Sequence, residues 1–152
     1  MKCVIFAGGK GSRIKLESDT TPKPLVTVGD MPIVWHIMKM YYHYGVKDFI
    51  LCLGYKQEDF KKYYLDLMKQ KKDISINFKN QELKVLNNNS EDWNITLVDT
   101  GLNTLTGGRL KRIEKYLDDD DDSFFLTYAD AISDIDIKDL YEFHKKQKSL
   151  VT

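Results

Sequence analysis

Neither sign of charge prevails in this chain: 23 Lys and Arg are matched by 23 Asp and Glu over 152 residues, a formal sum of +0. Without a net positive field there is no long-range pull on nucleic acid or an anionic membrane surface, so neither is expected as a partner. Cysteine is scarce too. Cys3 and Cys52 fall in apolar runs that read as buried strands, and with no secretion signal they are expected as reduced core thiols rather than a disulfide. No apolar run reaches membrane length and no charged-then-apolar leader is seen, so a cytoplasmic location is expected. Histidine is limited to His36, His43 and His144. The first two share a helix face but lack a third ligand, and are expected to be structural. Asp118 to Asp122 are consecutive acids without the spaced ligands and turn glycine of a calcium loop, which reads as a solvated connection.

What is present is an ordinary globular composition, 42% hydrophobic and 30% charged, with length for one domain and a core. Apolar strand-like runs alternate with helical periodicity. Lys2 to Ala7, Asp48 to Gly54, Trp93 to Val98 and Phe124 to Tyr128 read as strands. Ile74 to Phe78 and Leu83 to Leu86 read as a hairpin or edge pair. Ile33, Ile37, Tyr41 and Tyr44 recur at helical spacing after Asp30, a candidate cap, and before Gly45, a candidate stop. Phe60, Tyr64, Leu67 and Met68 line a second helix, and this aromatic stripe is expected in the core. Thr106 is a candidate cap for a third, carrying Leu110, Ile113 and Leu117. Asp134 or Asp136 would cap a fourth, with Leu140 and Phe143 inward and His144 on the surface. The alternation predicts an α/β three-layer αβα sandwich with a mostly parallel, Rossmann-like sheet.

The chemistry is concentrated after the first strand, in Phe6-Ala7-Gly8-Gly9-Lys10-Gly11-Ser12-Arg13. Three glycines in four positions permit positive φ and remove Cβ atoms that would keep a phosphate from backbone N–H groups. Lys10 and Arg13 add charge. The dinucleotide fingerprint does not fit, since Ile14 stands where its third glycine belongs, and the P-loop pattern is absent. Ten residues on, Pro22-Lys23-Pro24 presents a lysine on a stiff segment. Gly107, Gly108 and Arg109 fall in the first turn of the third helix, where free N–H groups and a guanidinium suit an anion. The fourth strand of the main series would deliver Asp130 to the same edge if the sheet is parallel there.

Gly8-Gly9-Lys10-Gly11-Ser12-Arg13-Ile14, Pro22-Lys23-Pro24-Leu25 and Met31-Pro32-Ile33-Val34-Trp35-His36-Ile37-Met38 together resemble the amino-terminal half of sugar-phosphate nucleotidylyltransferases. Thr96-Leu97-Val98-Asp99-Thr100-Gly101, Thr104 to Arg112 and Thr127 to Asp134 resemble the glucose-1-phosphate cytidylyltransferases within that family. The resemblance implies a nucleotidyltransferase joining CTP and α-D-glucose 1-phosphate into CDP-glucose and pyrophosphate with Mg2+, for dideoxysugar and surface-polysaccharide (O-antigen) synthesis. It also implies a homo-oligomer.

By matching position, the resemblance gives Phe6, Ala7, Gly8, Gly9, Lys10, Gly11, Ser12 and Arg13 to the nucleotide, with Arg13 on its phosphates. Lys23 would face the reacting phosphate groups, Thr104 and Arg109 would contact substrate, Asp130 would bind the metal, and Ala129 would line the nucleotide site. Arg13, Lys23 and Asp130 are the expected catalytic set. Relatives carry Lys-Pro-Lys-Pro where this chain has Thr21-Pro22-Lys23-Pro24, and Gly-Asp-Gly where it has Ala129-Asp130-Ala131. The family also places a second metal-binding aspartate and most sugar ligands in a carboxyl-terminal portion, so residues 1–152 are expected to be one apparently truncated nucleotidyltransferase domain. Two alternatives stay open: a CTP-binding fragment or regulatory module without turnover, and a transferase using UTP or dTTP.

Overall fold

The computed structural model describes residues 1–9, 21–70, 73–86, 91–117 and 122–152. Its centre is a four-stranded sheet of β1 (Lys2–Phe6), β4 (Asp48–Leu53), β7 (Asn94–Asp99) and β8 (Phe125–Tyr128), in the order β7-β4-β1-β8. Every pairing in this sheet is parallel. Short antiparallel pairs join β2 (Thr27–Val28) to β3 (Met31–Pro32) and β5 (Ile74–Asn77) to β6 (Glu82–Val85). Among the described residues four α-helices flank these strands: α1 (Ile33–His43), α2 (Gln57–Gln70), α3 (Thr106–Ile113) and α4 (Ile137–Gln147).

Side-chain alternation along the strands explains the layering. On β1 and β4, Cys3, Ile5, Phe49, Leu51 and Leu53 point to one face and pack with Val34, Ile37, Met38 and Tyr41 of α1, Phe60 of α2 and Ile137 of α4. Val4, Ile50 and Cys52 point to the other face and meet Val98 and Ile113, with Phe6, Leu110 and Leu117 beside them. Successive strand residues alternate faces, so a nearly continuous apolar run fills both layers of a parallel sheet. Fully burying a side chain such as Phe49 or Phe60 contributes about 1.5–3 kcal/mol. The expected three-layer α/β architecture is therefore the observed one, with helices on both faces.

Strand order positions the site. From β1 the chain moves outward through β4 to β7, then returns across the sheet through α3 to lay β8 on the opposite side of β1. The order reverses between β1 and β8, and in open parallel sheets the crevice at the carboxyl ends of the strands flanking such a reversal takes ligands.

Local expectations met three exceptions. Asp30 does not cap α1; it lies between β2 and β3, and Pro32 is the cap residue with no side-chain bond. Thr106 is already helical, and Leu105 occupies the uncapped start of α3. Phe143 is half exposed rather than inward, because α4 buries Ile137 instead. Other signals behaved as expected. Asp136 caps α4 by accepting from the Lys138 and Asp139 backbone N–H groups at 2.8 and 3.0 Å. Gly45, with φ +87°, follows α1, a left-handed conformation that costs glycine nothing. Cys3 and Cys52 are buried free thiols, and burial raises both pKa values, that of Cys52 to about 11. His36 donates to the Val28 carbonyl at 3.0 Å, tying α1 to the β2–β3 pair. Among the described residues no helix is long and apolar enough to cross a membrane. Residues 87–90 and most of the acidic run lie outside the described residues.

Candidate functional site

A cleft of about 250 Å³ opens at the carboxyl edge of the sheet, at the β1/β8 reversal. Its walls come from four places: Phe6 to Gly9 after β1, Lys23 and Pro24, Thr104 to Thr106 with Arg109 at the start of α3, and Tyr128 to Asp130 at the end of β8. Parallel register explains the meeting of the first and last. Phe6 lies opposite Tyr128, and the Ala129 N–H donates to the Phe6 carbonyl at 3.1 Å, so Asp130 emerges beside the glycine turn.

Lys23 and Asp130, 107 positions apart, meet directly: the amine donates to Asp130 Oδ2 at 2.8 Å. Lys23 begins a single 3-10 turn over Lys23–Leu25, in which Pro24 is buried, so the backbone beneath the amine is anchored. The pair remains partly open, with side-chain exposures of 27% and 44%. Solvent screening keeps such a pair weak, at about 0–1 kcal/mol, and both groups can exchange partners.

Arg109 is held differently. It is 6% exposed, and its guanidinium spans the ends of three strands. Nη1 donates to the Leu53 carbonyl at 2.9 Å and to Thr100 Oγ1 at 2.7 Å. Nη2 donates to the Gly8 carbonyl at 3.1 Å and, at a long 3.5 Å, to the Leu102 carbonyl. Thr100 is fully buried, and its hydroxyl in turn donates to the Leu53 carbonyl at 2.6 Å. Burial lowers the Arg109 pKa from its usual value, opposed chiefly by Cys52. A guanidinium never loses its proton in practice, so the site carries a fixed positive charge satisfied by neutral oxygens.

The glycines take on separate tasks. A Cβ at Gly8 would stand 2.1 Å from Arg109 Nη1, so this glycine makes room for the arginine rather than supplying unusual backbone angles. A Cβ at Gly9 would meet nothing within 4 Å, and this residue faces the opening. A Cβ at Gly108 would approach Thr104 Cγ2 at 2.8 Å, so that glycine lets Thr104 fold back on α3. Arg112, one turn beyond Arg109, donates to the Thr100 carbonyl at 2.6 Å and to Thr104 Oγ1 at 2.7 Å, which sets the direction of the threonine hydroxyl.

The cleft thus gathers Phe6, Ala7, Gly8, Gly9, Lys23, Thr104, Arg109, Ala129 and Asp130 of the sequence-derived set. Lys10, Gly11, Ser12 and Arg13 lie outside the described residues. Sequence reasoning missed Tyr128 and Leu105, which give the cleft apolar surface; they are 57% and 83% exposed, and Tyr128 meets Phe6 edge to face at 5.6 Å. The signal for Tyr128 was its place one residue before the Ala129-Asp130 turn. Arg112 was missed because its partner, Thr104, is recognised only once α3 folds back.

A divalent ion needs several oxygens. Among the described residues no three His, Cys, Asp or Glu side chains stand close enough to form a metal centre. Magnesium, however, is commonly held by one or two carboxylates completed by substrate phosphates and water. Asp130, on the cleft wall and partly exposed, fits that role.

Comparison with known proteins agrees with the architecture. A family model described as nucleotidyl transferase matches residues 2–152. Glucose-1-phosphate cytidylyltransferase of Salmonella typhimurium is 46% identical over 145 residues, covering 95% of this chain and 56% of that protein. The probable glucose-1-phosphate cytidylyltransferase of Bacillus subtilis is 40% identical over 152 residues, covering 100% of this chain and 59% of that protein. The chain therefore spans little more than half the length of these relatives. Among solved structures, HddC from Yersinia pseudotuberculosis complexed with GMP-PN superposes with a TM-score of 0.66 at 26% identity, over 94% of this chain and 53% of that one. UDP-glucose pyrophosphorylase complexed with UDP-glucose shares the fold, with a TM-score of 0.64 at 16% identity, over 97% of this chain and 54% of that one. With the family model spanning almost every residue, and the strand order and cleft already placing a ligand site at the β1/β8 reversal, the chain belongs to the nucleotidyl transferase family.

Proposed function

We propose that the cleft binds CTP and that the chain carries the nucleotide-binding portion of a glucose-1-phosphate cytidylyltransferase, a cytoplasmic, homo-oligomeric enzyme supplying CDP-glucose for surface polysaccharide. The observation that carries this reading is the convergence of the Gly8–Gly9 backbone, the Lys23 amine and the Asp130 carboxylate on one mouth at the β1/β8 reversal. The sequence similarity to two cytidylyltransferases supports cytosine as the base.

The chemistry is an in-line displacement. A phosphate oxygen of glucose 1-phosphate forms a bond to the α-phosphorus of CTP, the bond from that phosphorus to its bridging oxygen breaks, and pyrophosphate departs with the electron pair. No covalent enzyme intermediate is needed, so the protein's work is positioning and charge neutralisation. The Gly8 and Gly9 backbone approaches the phosphates, and Lys23 moves from Asp130 to phosphate oxygens. Arg13, by its matching position, joins them. Asp130 would hold Mg2+, which neutralises phosphate charge when bound. Tyr128, Phe6 and Leu105 offer apolar surface to the nucleoside.

The test is pyrophosphate release from CTP, glucose 1-phosphate and magnesium, run beside UTP, dTTP and an Asp130→Asn variant. With the carboxyl-terminal portion that the relatives carry supplied, CTP-dependent release, reduced roughly a hundred- to a thousandfold in the variant, is expected. Release preferring UTP or dTTP reassigns the base, and a CTP-dependent rise in melting temperature without release selects a binding module. If no nucleoside triphosphate shifts melting, the nucleotide reading falls.

A further inference from the structure

We infer that Arg109 is a positioning residue, and that Gly54 is its required companion: together they lock the Gly8 carbonyl to β4 and β7 and so set the backbone that faces the nucleotide phosphates. The inference rests on the nucleotide reading of the cleft, and it gives Arg109 a task beside any contact with substrate.

A guanidinium has five N–H groups, two on each terminal nitrogen. Both hydrogens of Nη1 are committed, to Leu53 and Thr100, and both of Nη2, to Gly8 and Leu102. Three of these four hydrogens make bonds of 3.1 Å or shorter and the fourth reaches Leu102 only at 3.5 Å, which leaves at most one terminal hydrogen, too few for the end-on two-pronged grip by which arginine holds a phosphate. The acceptors are main-chain carbonyls at the ends of β1 and β4 and in the segment after β7, plus the buried Thr100 hydroxyl. One side chain thereby cross-links three loops beyond the sheet edge, where the backbone itself supplies the Thr100 N–H bond to the Leu53 carbonyl at 2.9 Å and the Tyr55 N–H bond to the Gly8 carbonyl.

Gly54 shows how closely this clasp is fitted. A Cβ there would stand 2.7 Å from Arg109 Nη1, 2.8 Å from the Gly101 carbonyl oxygen and 2.9 Å from the Gly8 carbonyl oxygen. Two of these three atoms belong to backbone, so adding a methyl must displace either the guanidinium or the loops it ties. Gly54 is buried and is not part of the cleft wall. The Tyr55 N–H that follows also donates to the Gly8 carbonyl, at 3.2 Å. A change at Gly54 therefore reaches the cleft through the groups it crowds, Gly8, Arg109 and Gly101, and not from the cleft wall itself.

The experiment compares wild type, Gly54→Ala, Arg109→Lys and the double variant by calorimetric titration with CTP and magnesium, and by amide hydrogen exchange without nucleotide. Each single variant is expected to weaken CTP about tenfold, the equivalent of one misplaced phosphate hydrogen bond, and the double variant to lose little more than the worse single. Lysine, which keeps the charge, is expected not to rescue. Exchange at Ala7 and Tyr55 is expected to accelerate in both single variants. Wild-type affinity in Gly54→Ala, or in Arg109→Lys, overturns the inference, because direct charge contact would survive in the second and be untouched in the first. If Gly54→Ala fails to fold, Thr100→Val removes one anchor of the clasp and takes its place. If wild type binds no nucleotide the reading of the cleft falls, while unchanged exchange in Arg109→Lys separately overturns the clasp.

Discussion

Lys23 and Arg109 border the same cleft and carry the same charge, yet they are anchored in opposite ways. Lys23 stands partly in solvent against one carboxylate, whereas Arg109 is buried with its terminal N–H groups spent on neutral oxygens. The difference separates two tasks that a phosphate site needs. An exposed ion pair is weak enough to be traded for an incoming phosphate. A buried guanidinium bonded to several neutral oxygens is costly to disturb, and it is suited to holding backbone in place.

The sharpest way to break this contrast is to remove each cation and read rate and stability separately. Lys23→Ala is expected to slow pyrophosphate release roughly a hundred- to a thousandfold while changing stability by less than about 1 kcal/mol, measured by steady-state assay and urea unfolding. Arg109→Gln is expected to cost about 2–3 kcal/mol of folding stability, since buried carbonyls lose their donors, and this loss should persist in high salt. Equal stability losses at the two positions would contradict the division of tasks.

The same distinction between fixed and free polar groups separates the starts of α4 and α3. Asp136→Ala is expected to destabilise the protein by about 1 kcal/mol in chemical unfolding, while Thr106→Ala, at an uncapped start, should cost less. The smallest expected effect concerns Asp99, whose pKa is lowered first by the Gln57 amide, donating at 2.9 Å, and then by the Gly101 N–H at 2.8 Å. A carboxyl whose folded pKa is depressed contributes stability above its unfolded value, near 3.8, and loses it as pH falls through the folded value. Gln57→Leu should therefore reduce stability at neutral pH and converge on wild type once the pH has fallen through the lowered folded value, followed by unfolding at a series of pH values.

Strands, layers and the arrival of Asp130 beside the glycine turn were legible in the sequence because they depend on alternation and local apolar runs. Parallel pairing of β1 with β8 set Asp130 beside the glycine turn, where the Lys23 amine meets it. The clasp was not legible. Its acceptors at Leu53 and Gly8 are backbone carbonyls 56 and 101 positions from Arg109, and a carbonyl leaves no trace in residue identity. Gly8 illustrates the same limit: its glycine character pointed to backbone freedom and close phosphate approach, whereas the atom nearest its missing Cβ belongs to Arg109. The start of α1 was misread for a different reason. Asp30 was drawn into the β2–β3 turn, where pairing of Thr27 with Pro32 outweighs the capping preference.

The most direct test is a backbone-amide NMR titration with CTP and magnesium. The account predicts that Gly8, Gly9, Ala129 and Asp130 shift together, saturating at one concentration, while the β5–β6 pair away from the cleft stays unmoved. Shifts confined to other surfaces, or none at any concentration, would contradict it.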